Sequence, residues 1–385
     1  MTFPTPVGGA SLPFDFAPSV LFAVMYGCLV PILLWRCVHP RSWTLATAGS
    51  VIFSIERIVV FALRASQSNN ESRRLSPGLL TYSQLTFATG YISIAQDIVS
   101  LVRCLIVNAS FGTDLVSQSP AIEGARRATK KPTHAATLTS WPRLSLLASS
   151  SPTYEEIIER NPISEVVREG APHFVDNPRY RSMARRYANT GAFTFLAATI
   201  CGIVANSQFG KLLEDESKSQ QVMTWRYVFS SRPYITTDNV LRNRYASTGI
   251  TLALVIMTVG AVVLANMCMA RISQPSTKII FAVSLCMSIV AIYRLSVMFN
   301  RSDSLTSTAP EALNSSSAKA LFYIFHAFPE WLSIALLFSC NLREICGTGP
   351  YADWRSHDET EKEREKRLKK EAIKLEALRT LSSPA

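Results

Sequence analysis

The sequence predicts an all-α protein, a seven-transmembrane helix bundle with its N-terminus outside and its C-terminus cytosolic. Three observations predict it. The apolar residues, 48% of the 385-residue chain, gather in seven long blocks instead of spreading through it. About 20 apolar residues are needed to cross about 30 Å of hydrocarbon, and blocks of that length in a soluble fold would leave wide apolar surfaces against water. The Lys and Arg residues behind the net charge of +11 concentrate beside alternate blocks, as they do in cytoplasmic loops.

The first span runs from Ala17 to Val38, with Trp35 and Arg36 at its inner edge. After the turn at His39–Ser42, a second runs from Trp43 to Leu63, interrupted by Glu56 and Arg57. The third, Leu79 to Val107, carries Gln96, Asp97 and Arg103. Spans one to three thus fill residues 1–107. Residues 108–186 read as a cytosolic, largely disordered loop, rich in Ser, Thr, Pro and bases, with two short amphipathic stretches after Tyr154 and Ile163. Spans four to seven fill residues 187–340: Tyr187 to Phe209, Tyr245 to Met269, Ile279 to Phe299 and Ala320 to Cys340. Residues 341–385 form a charged cytosolic tail. Its acid–base pairs four apart, such as Glu363 with Arg367, predict a solvated helix.

The distribution of bases fixes the expected orientation. An outside N-terminus puts most Lys and Arg in the loop 108–186, the tail and the two short inner links, and leaves Arg57, Arg103 and Arg294 within spans. The N-x-Ser sequons at Asn70, Asn300 and Asn314 then fall outside as candidate glycosylation sites, and only Asn108 falls inside. The eight cysteines lie in or at the ends of apolar blocks, where thiols act as small hydrophobes and not as a disulfide framework. Basic residues that flank membrane spans argue against nucleic acid as a partner. No basic leader precedes the first block, which serves as its own insertion signal.

Charge inside a span is costly, so it faces the bundle interior, where it pairs or lines a cavity. At about 1.5 Å per residue, Glu56, Arg57, Arg294, His326 and Glu330 lie at related depths in the outer half of spans two, six and seven. Asp97 lies deeper, in span three. Two arrangements follow. Glu56 or Glu330 pairs with Arg294, and Asp97 with Arg103 or Arg57, locking the bundle. Alternatively these six residues form the polar floor of an outward-facing intramembrane pocket, beside a kink at Pro329. No metal or cofactor is implied: His326 is the one histidine within a span, where a zinc site would need about three ligands. A retinal site needs a lysine deep in the last span, and Lys319 sits at its outer edge. No nucleophile-elbow motif occurs.

The seven-span layout resembles receptors coupled to G proteins, but span three ends Ser100-Leu-Val-Arg103-Cys104 and span seven holds His326-Ala-Phe-Pro-Glu330-Trp331 where the large rhodopsin-like class has other motifs. Ser54-Ile-Glu-Arg-Ile58, Ile292-Tyr-Arg-Leu295 and Phe322-Tyr-Ile-Phe-His-Ala-Phe-Pro-Glu-Trp331 resemble elements of fungal seven-span membrane proteins, some receptor-like and others grouped with lipid-translocating exporters. The resemblance covers the membrane portion and implies no catalytic residues. The expected function is a receptor-like protein of the plasma membrane or another secretory-route membrane. It binds an apolar or amphipathic ligand and signals through residues 108–186 and the tail to a cytosolic partner. A lipid or small-molecule transporter is the alternative, and an intramembrane acid–base enzyme on a lipid-like substrate the third. Membrane lipids are its other expected partners.

Overall fold

The computed structural model describes residues 3–40, 42–74, 76–111, 176–221, 237–269, 271–302, 304–307, 309–351 and 353, with backbone alone at Phe3, 212–221 and Thr237. Among these, seven helices are long and apolar enough to cross a membrane, and the chain reads as a multi-pass membrane protein. The expected amphipathic stretches after Tyr154 and Ile163 and the tail helix fall outside the described residues.

The helices are α1 (Phe16–Val38), α2 (Ala48–Asn69), α3 (Pro77–Ala109), α4 (Pro178–Gln221), α5 (Thr237–Cys268) and α6 (Gln274–Val297), followed by α7 (Ser316–Phe322) and α8 (Phe328–Ser339), which lie together in the seventh membrane-length segment. Starts carry familiar signals. Pro77 and Pro275 open α3 and α6 where a missing N–H costs nothing. Ser315 caps α7, its hydroxyl accepting from the Ala318 N–H. Several helices outrun their apolar blocks. Helix α4 begins at Pro178, so the last residues assigned by hydropathy to the loop 108–186 are helical, and α2 continues past Leu63 to Asn69. Hydropathy marks where hydrocarbon would end; the backbone keeps its helical hydrogen bonds beyond that point.

Between α7 and α8 the chain winds as a π-helical turn, Tyr323–Ala327, and the Phe328 N–H donates to the Tyr323 carbonyl five residues back. The cause lies two residues on. Pro329 has no N–H to offer, and in a regular α-helix its ring would collide with the carbonyl four residues before it. A wider turn relieves the collision and sets His326 inward.

Helix α3 is the central pillar: 78% of its apolar window is buried, against 28% for α1. It packs on α2, α4, α5 and α6, while α1 closes the ring by packing on α2 and α8. The bundle's outside is apolar, with Leu21, Ile52, Phe193, Leu196, Leu264 and Leu285 turned outward. Its inside holds aromatic rings and charges. Such an inverted pattern suits hydrocarbon as the surrounding solvent.

The two ends differ. At one, the strand β1 (Phe3–Pro4) pairs antiparallel with β2 (Arg301–Ser302), and residues 5–11 run on into the bundle mouth, most of them buried. At the other, residues 340–353 fold under the helices. The Leu45 N–H donates to Pro350 and Ser276 Oγ to the Ile345 carbonyl. Arg185 pairs with Asp353 at 2.8 Å, and Cys346 is fully buried. Burial there pushes the Cys346 thiol up to about 11. All eight cysteines are free thiols.

Candidate functional site: a closed polar core under the N-terminal segment

The deepest polar group in the N-terminal half of the bundle is an ion pair between α2 and α8. Arg57 donates from Nε and Nη2 to the two carboxylate oxygens of Glu330, at 2.9 and 3.0 Å, and neither side chain reaches solvent. Phe53 and Phe87 flank the guanidinium, with ring centres 4.3 and 4.9 Å away. The room for it comes from Gly90 on α3, where a Cβ would stand 2.5 Å from the Phe53 ring and 2.8 Å from Arg57 Nη2. No side chain larger than hydrogen fits at that crossing without displacing the pair.

His326 continues the chain of groups. Its Nδ1 lies 3.5 Å from Glu330, and its Nε2 lies 3.3 Å from Nη1 of Arg294. Arginine only donates, so Nε2 is the acceptor and the ring proton sits on Nδ1, toward Glu330. Arg294 also donates to the Phe87 carbonyl at 2.6 Å and lies over the Tyr91 ring. Phe87, Tyr293 and Phe322 surround the imidazole.

Of the six residues expected to form a polar floor, Arg57, Arg294, His326 and Glu330 come together. The pairing differs from the expected one: Glu330 takes Arg57, and Arg294 has no carboxylate. Glu56 points away from its neighbour, half-buried and outside any ion pair among the described residues. Adjacent residues on a helix lie about 100° apart. Asp97 stands elsewhere, near the opposite end of α2. It pairs with neither Arg57 nor Arg103, but accepts from the Ser50 N–H at 2.6 Å and the Ser50 hydroxyl at 2.7 Å. It therefore caps the first turn of α2 from a neighbouring helix, where the helix dipole favours a negative charge. Gly49 permits the approach, since a Cβ there would lie 3.0 Å from the carboxylate.

A second network above the first was not legible from hydropathy. Asp15 pairs with Lys319 at 2.9 Å and with Arg64 at 3.4 Å, and accepts from the Leu12 N–H and the Tyr323 hydroxyl. All of these side chains are buried. Arg64 and Lys319, placed in the outer segments by the hydropathy boundaries, are inside the bundle. Their seven-residue offset from Arg57 and from His326, two turns on one face, was the available signal.

This network holds the N-terminal segment in the mouth. Arg64 donates to the Gly8 carbonyl at 2.7 Å, and Lys319 to the Gly8 and Ala10 carbonyls. Gln84 pairs with Val7 in both directions, at 2.8 and 3.1 Å, as a strand neighbour would. Arg244 donates to the Thr5 carbonyl at 3.1 Å. Gly8 and Gly9 adopt φ of +78° and +61°, and a Cβ on Gly9 would stand 2.5 Å from the Leu313 carbonyl oxygen. The expected outward-facing pocket is therefore occupied by the chain's own first residues.

Two sequons change standing. Asn314 is 5% exposed, its Oδ1 accepts from the Ala10 N–H, and its Nδ2 donates to the carbonyls of Leu305 and Ser307. A glycan would attach through that nitrogen, which is here buried and committed to two carbonyls. Asn300 is half-buried beside β2. Asn70 is exposed. Of the aromatics near span seven, Phe325 and Phe328 turn to the bundle's outside, whereas Tyr293 is buried against His326.

Fold and core together define a multi-pass membrane bundle whose N-terminal half holds a closed, charge-bearing interior. No known protein family, curated protein or solved structure matches the chain, and the likeness to fungal seven-span proteins gains no support from these comparisons.

Proposed function

We propose that the chain is a receptor-like membrane protein, N-terminus outside and tail cytosolic, whose ligand reaches the polar core from the outer mouth and is answered through residues 108–186 and the tail. The observation that carries this is the one-sidedness of the polar interior. Polar contacts tie residues 5–15 to Arg64, Lys319 and Tyr323, and a second set beyond an aromatic layer ties Arg57 to Glu330 and His326 to Arg294. Beneath them the core is mostly apolar, with Ile94, Ile98, Leu101, Ile334 and Leu337 fully buried; its carboxylate, Asp97, is spent on capping α2 at Ser50, and the Ser54 and Ser333 hydroxyls donate to carbonyls of their own helices. A ligand site open to one side needs only one polar end, whereas a transport path needs polar continuity to both. Counting Arg64, Arg244 and Lys319 as interior also removes three bases from the outer segments, which strengthens the bias that favours this orientation.

The ligand is an apolar or amphipathic molecule that competes with the N-terminal segment. Gly9→Val unseats that segment through both its positive φ and its contact with Leu313. The purified variant should bind an uncharged fluorescent long-chain alcohol several-fold more tightly than the wild type does. Equal binding, or none to either protein, refutes the reading. Orientation has its own test: Asn70 carries glycan and Asn108 does not, and the reverse inverts the proposal.

A further inference from the structure

Residues 5–11, Thr-Pro-Val-Gly-Gly-Ala-Ser, carry no charge and no side chain larger than that of valine, and the bundle meets their backbone group by group. The Thr5 N–H donates to the Asn300 carbonyl at 3.0 Å, and the Thr5 carbonyl accepts from Arg244 at 3.1 Å. Gln84 serves both the N–H and the carbonyl of Val7. Arg64 and Lys319 share the Gly8 carbonyl, Lys319 reaches on to that of Ala10, and the Ala10 N–H donates to Asn314. These partners stand on α2, α3, α5, α7 and the loop between α6 and α7. Arg64, Gln84, Arg244, Asn314 and Lys319 are each at most 5% exposed. Among the described residues, the one backbone hydrogen bond internal to the segment closes a turn from the Gly9 N–H to the Pro6 carbonyl.

Such an array selects a polyamide. It places donors at the carbonyls of Thr5, Val7, Gly8 and Ala10 and acceptors at the N–H groups of Thr5, Val7 and Ala10. An amphiphile with one polar head answers one of these positions and leaves the others buried without partners, which is costly for each. An extended peptide added to a sheet edge is recognised in the same manner: backbone hydrogen bonds give affinity, and room for side chains gives selectivity. Here Phe3 and Pro4 pair with Ser302 and Arg301 at the entrance. The selectivity lies at Gly8 and Gly9, both at positive φ, where a Cβ would stand 2.9 Å from the Phe322 ring and 2.5 Å from the Leu313 carbonyl oxygen.

We propose that the bundle mouth is a peptide-binding site, which takes an uncharged extended peptide with two adjacent glycines from another chain in place of residues 5–11. The inference goes beyond the receptor reading and does not need it, since it stands on the contacts around the segment. The chain's own residues are the resident occupant. Tethering gives them an effective concentration of about millimolar, so an incoming peptide gains the mouth where that segment is weakened or where the peptide seats better.

The test uses the full chain in an uncharged detergent and a synthetic peptide of residues 3–12, acetylated and amidated so that it carries no charge. Binding is read from the fluorescence anisotropy of a dansyl-labelled copy. Gly9→Val, which cannot seat its own segment, should bind the peptide saturably and about tenfold or more tightly than the wild type, whose tethered segment competes. Adding Gln84→Ala to that variant should weaken binding about tenfold, for two lost hydrogen bonds. A peptide that itself carries Gly9→Val, and one with residues 5–11 scrambled, should bind neither protein. Light scattering separates the sources: a wild-type dimer that Gly9→Val dissociates puts the peptide on a second copy of this chain, and a wild-type monomer puts it on a different molecule. If either variant does not fold, the wild type decides. A peptide with photo-reactive p-benzoylphenylalanine in place of Phe3 must label residues 300–302, saturably and in competition with the unlabelled peptide, because Phe3 pairs with Ser302. No saturable binding or labelling, binding that Gln84→Ala leaves unchanged, or equal binding of the scrambled peptide overturns the proposal. Gly9→Val that binds the long-chain alcohol but not the peptide overturns it too, and leaves the proposed function standing.

Discussion

Removing both members of the Arg57–Glu330 pair should cost well under the sum of removing each alone. Glu330→Gln leaves the Arg57 guanidinium in a site with no solvent exposure, between Phe53 and Phe87, with one N–H already lacking an acceptor. At the roughly 4 Å between the charge centres of a bidentate pair and an effective dielectric of about 20, the lost attraction is about 4 kcal/mol. That matches the 3–5 kcal/mol typical of breaking a buried pair from one side. Arg57→Met should cost a similar amount, since it strands Glu330 with only His326 nearby at 3.5 Å. The double variant Arg57→Met, Glu330→Met removes both charges and keeps apolar volume, so it should fall well short of the sum, with a coupling of about 2 kcal/mol or more. The assay is reversible unfolding of the four proteins in mixed micelles of increasing denaturing-detergent fraction. Additive costs would refute the argument, because they would mean that each charge is solvated independently and that the interior is wet or open.

Four further outcomes follow from individual contacts. Gly90→Leu should destabilise the bundle about as much as breaking the pair does, since its side chain must occupy the space of Phe53 and Arg57; wild-type stability in the same micelle assay would contradict the packing. Asp97→Ala should cost about 2–4 kcal/mol by leaving both the Ser50 N–H and its hydroxyl buried without an acceptor, and amide exchange should rise first at residues 48–52. Asn314→Ala should loosen the N-terminal segment without changing glycan content, because that side chain bridges Ala10 to Leu305 and Ser307; a mass shift equal to one glycan would show the opposite. Cys346 should resist iodoacetamide at pH 8 in the folded protein, since its thiolate, the reactive form, is populated only near pH 11. Labelling at the rate of an exposed thiol, read by mass spectrometry of the peptide, would refute its burial.

The seven membrane-length apolar helices and their order were legible because apolar length is a property of the chain alone: Tyr245–Met269 reads as a span without reference to any neighbour. The costliness of charge in hydrocarbon likewise singled out Arg57, Arg294, His326 and Glu330, which the fold does bring together. What one dimension could not supply was partner choice. Glu330 meets Arg57, and not Arg294, because Gly90 opens the crossing on the Arg57 side, a fact of helix rotation and interhelical distance. Asp97 was expected in an ion pair and instead caps α2, because the start of that helix and its unmet N–H groups are set only when α2 and α3 pack. The N-terminal segment was missed for a related reason. Residues 3–11 have no helical period and few apolar side chains, and their hold on the bundle passes through backbone carbonyls, which every sequence has. Sequence determined how many helices are long and apolar enough to cross a membrane and which side chains are too polar for lipid. Tertiary structure decided which charges neutralise one another, which are left over, and that the chain's own first residues close the mouth above them, because those outcomes depend on distances between helices far apart along the chain.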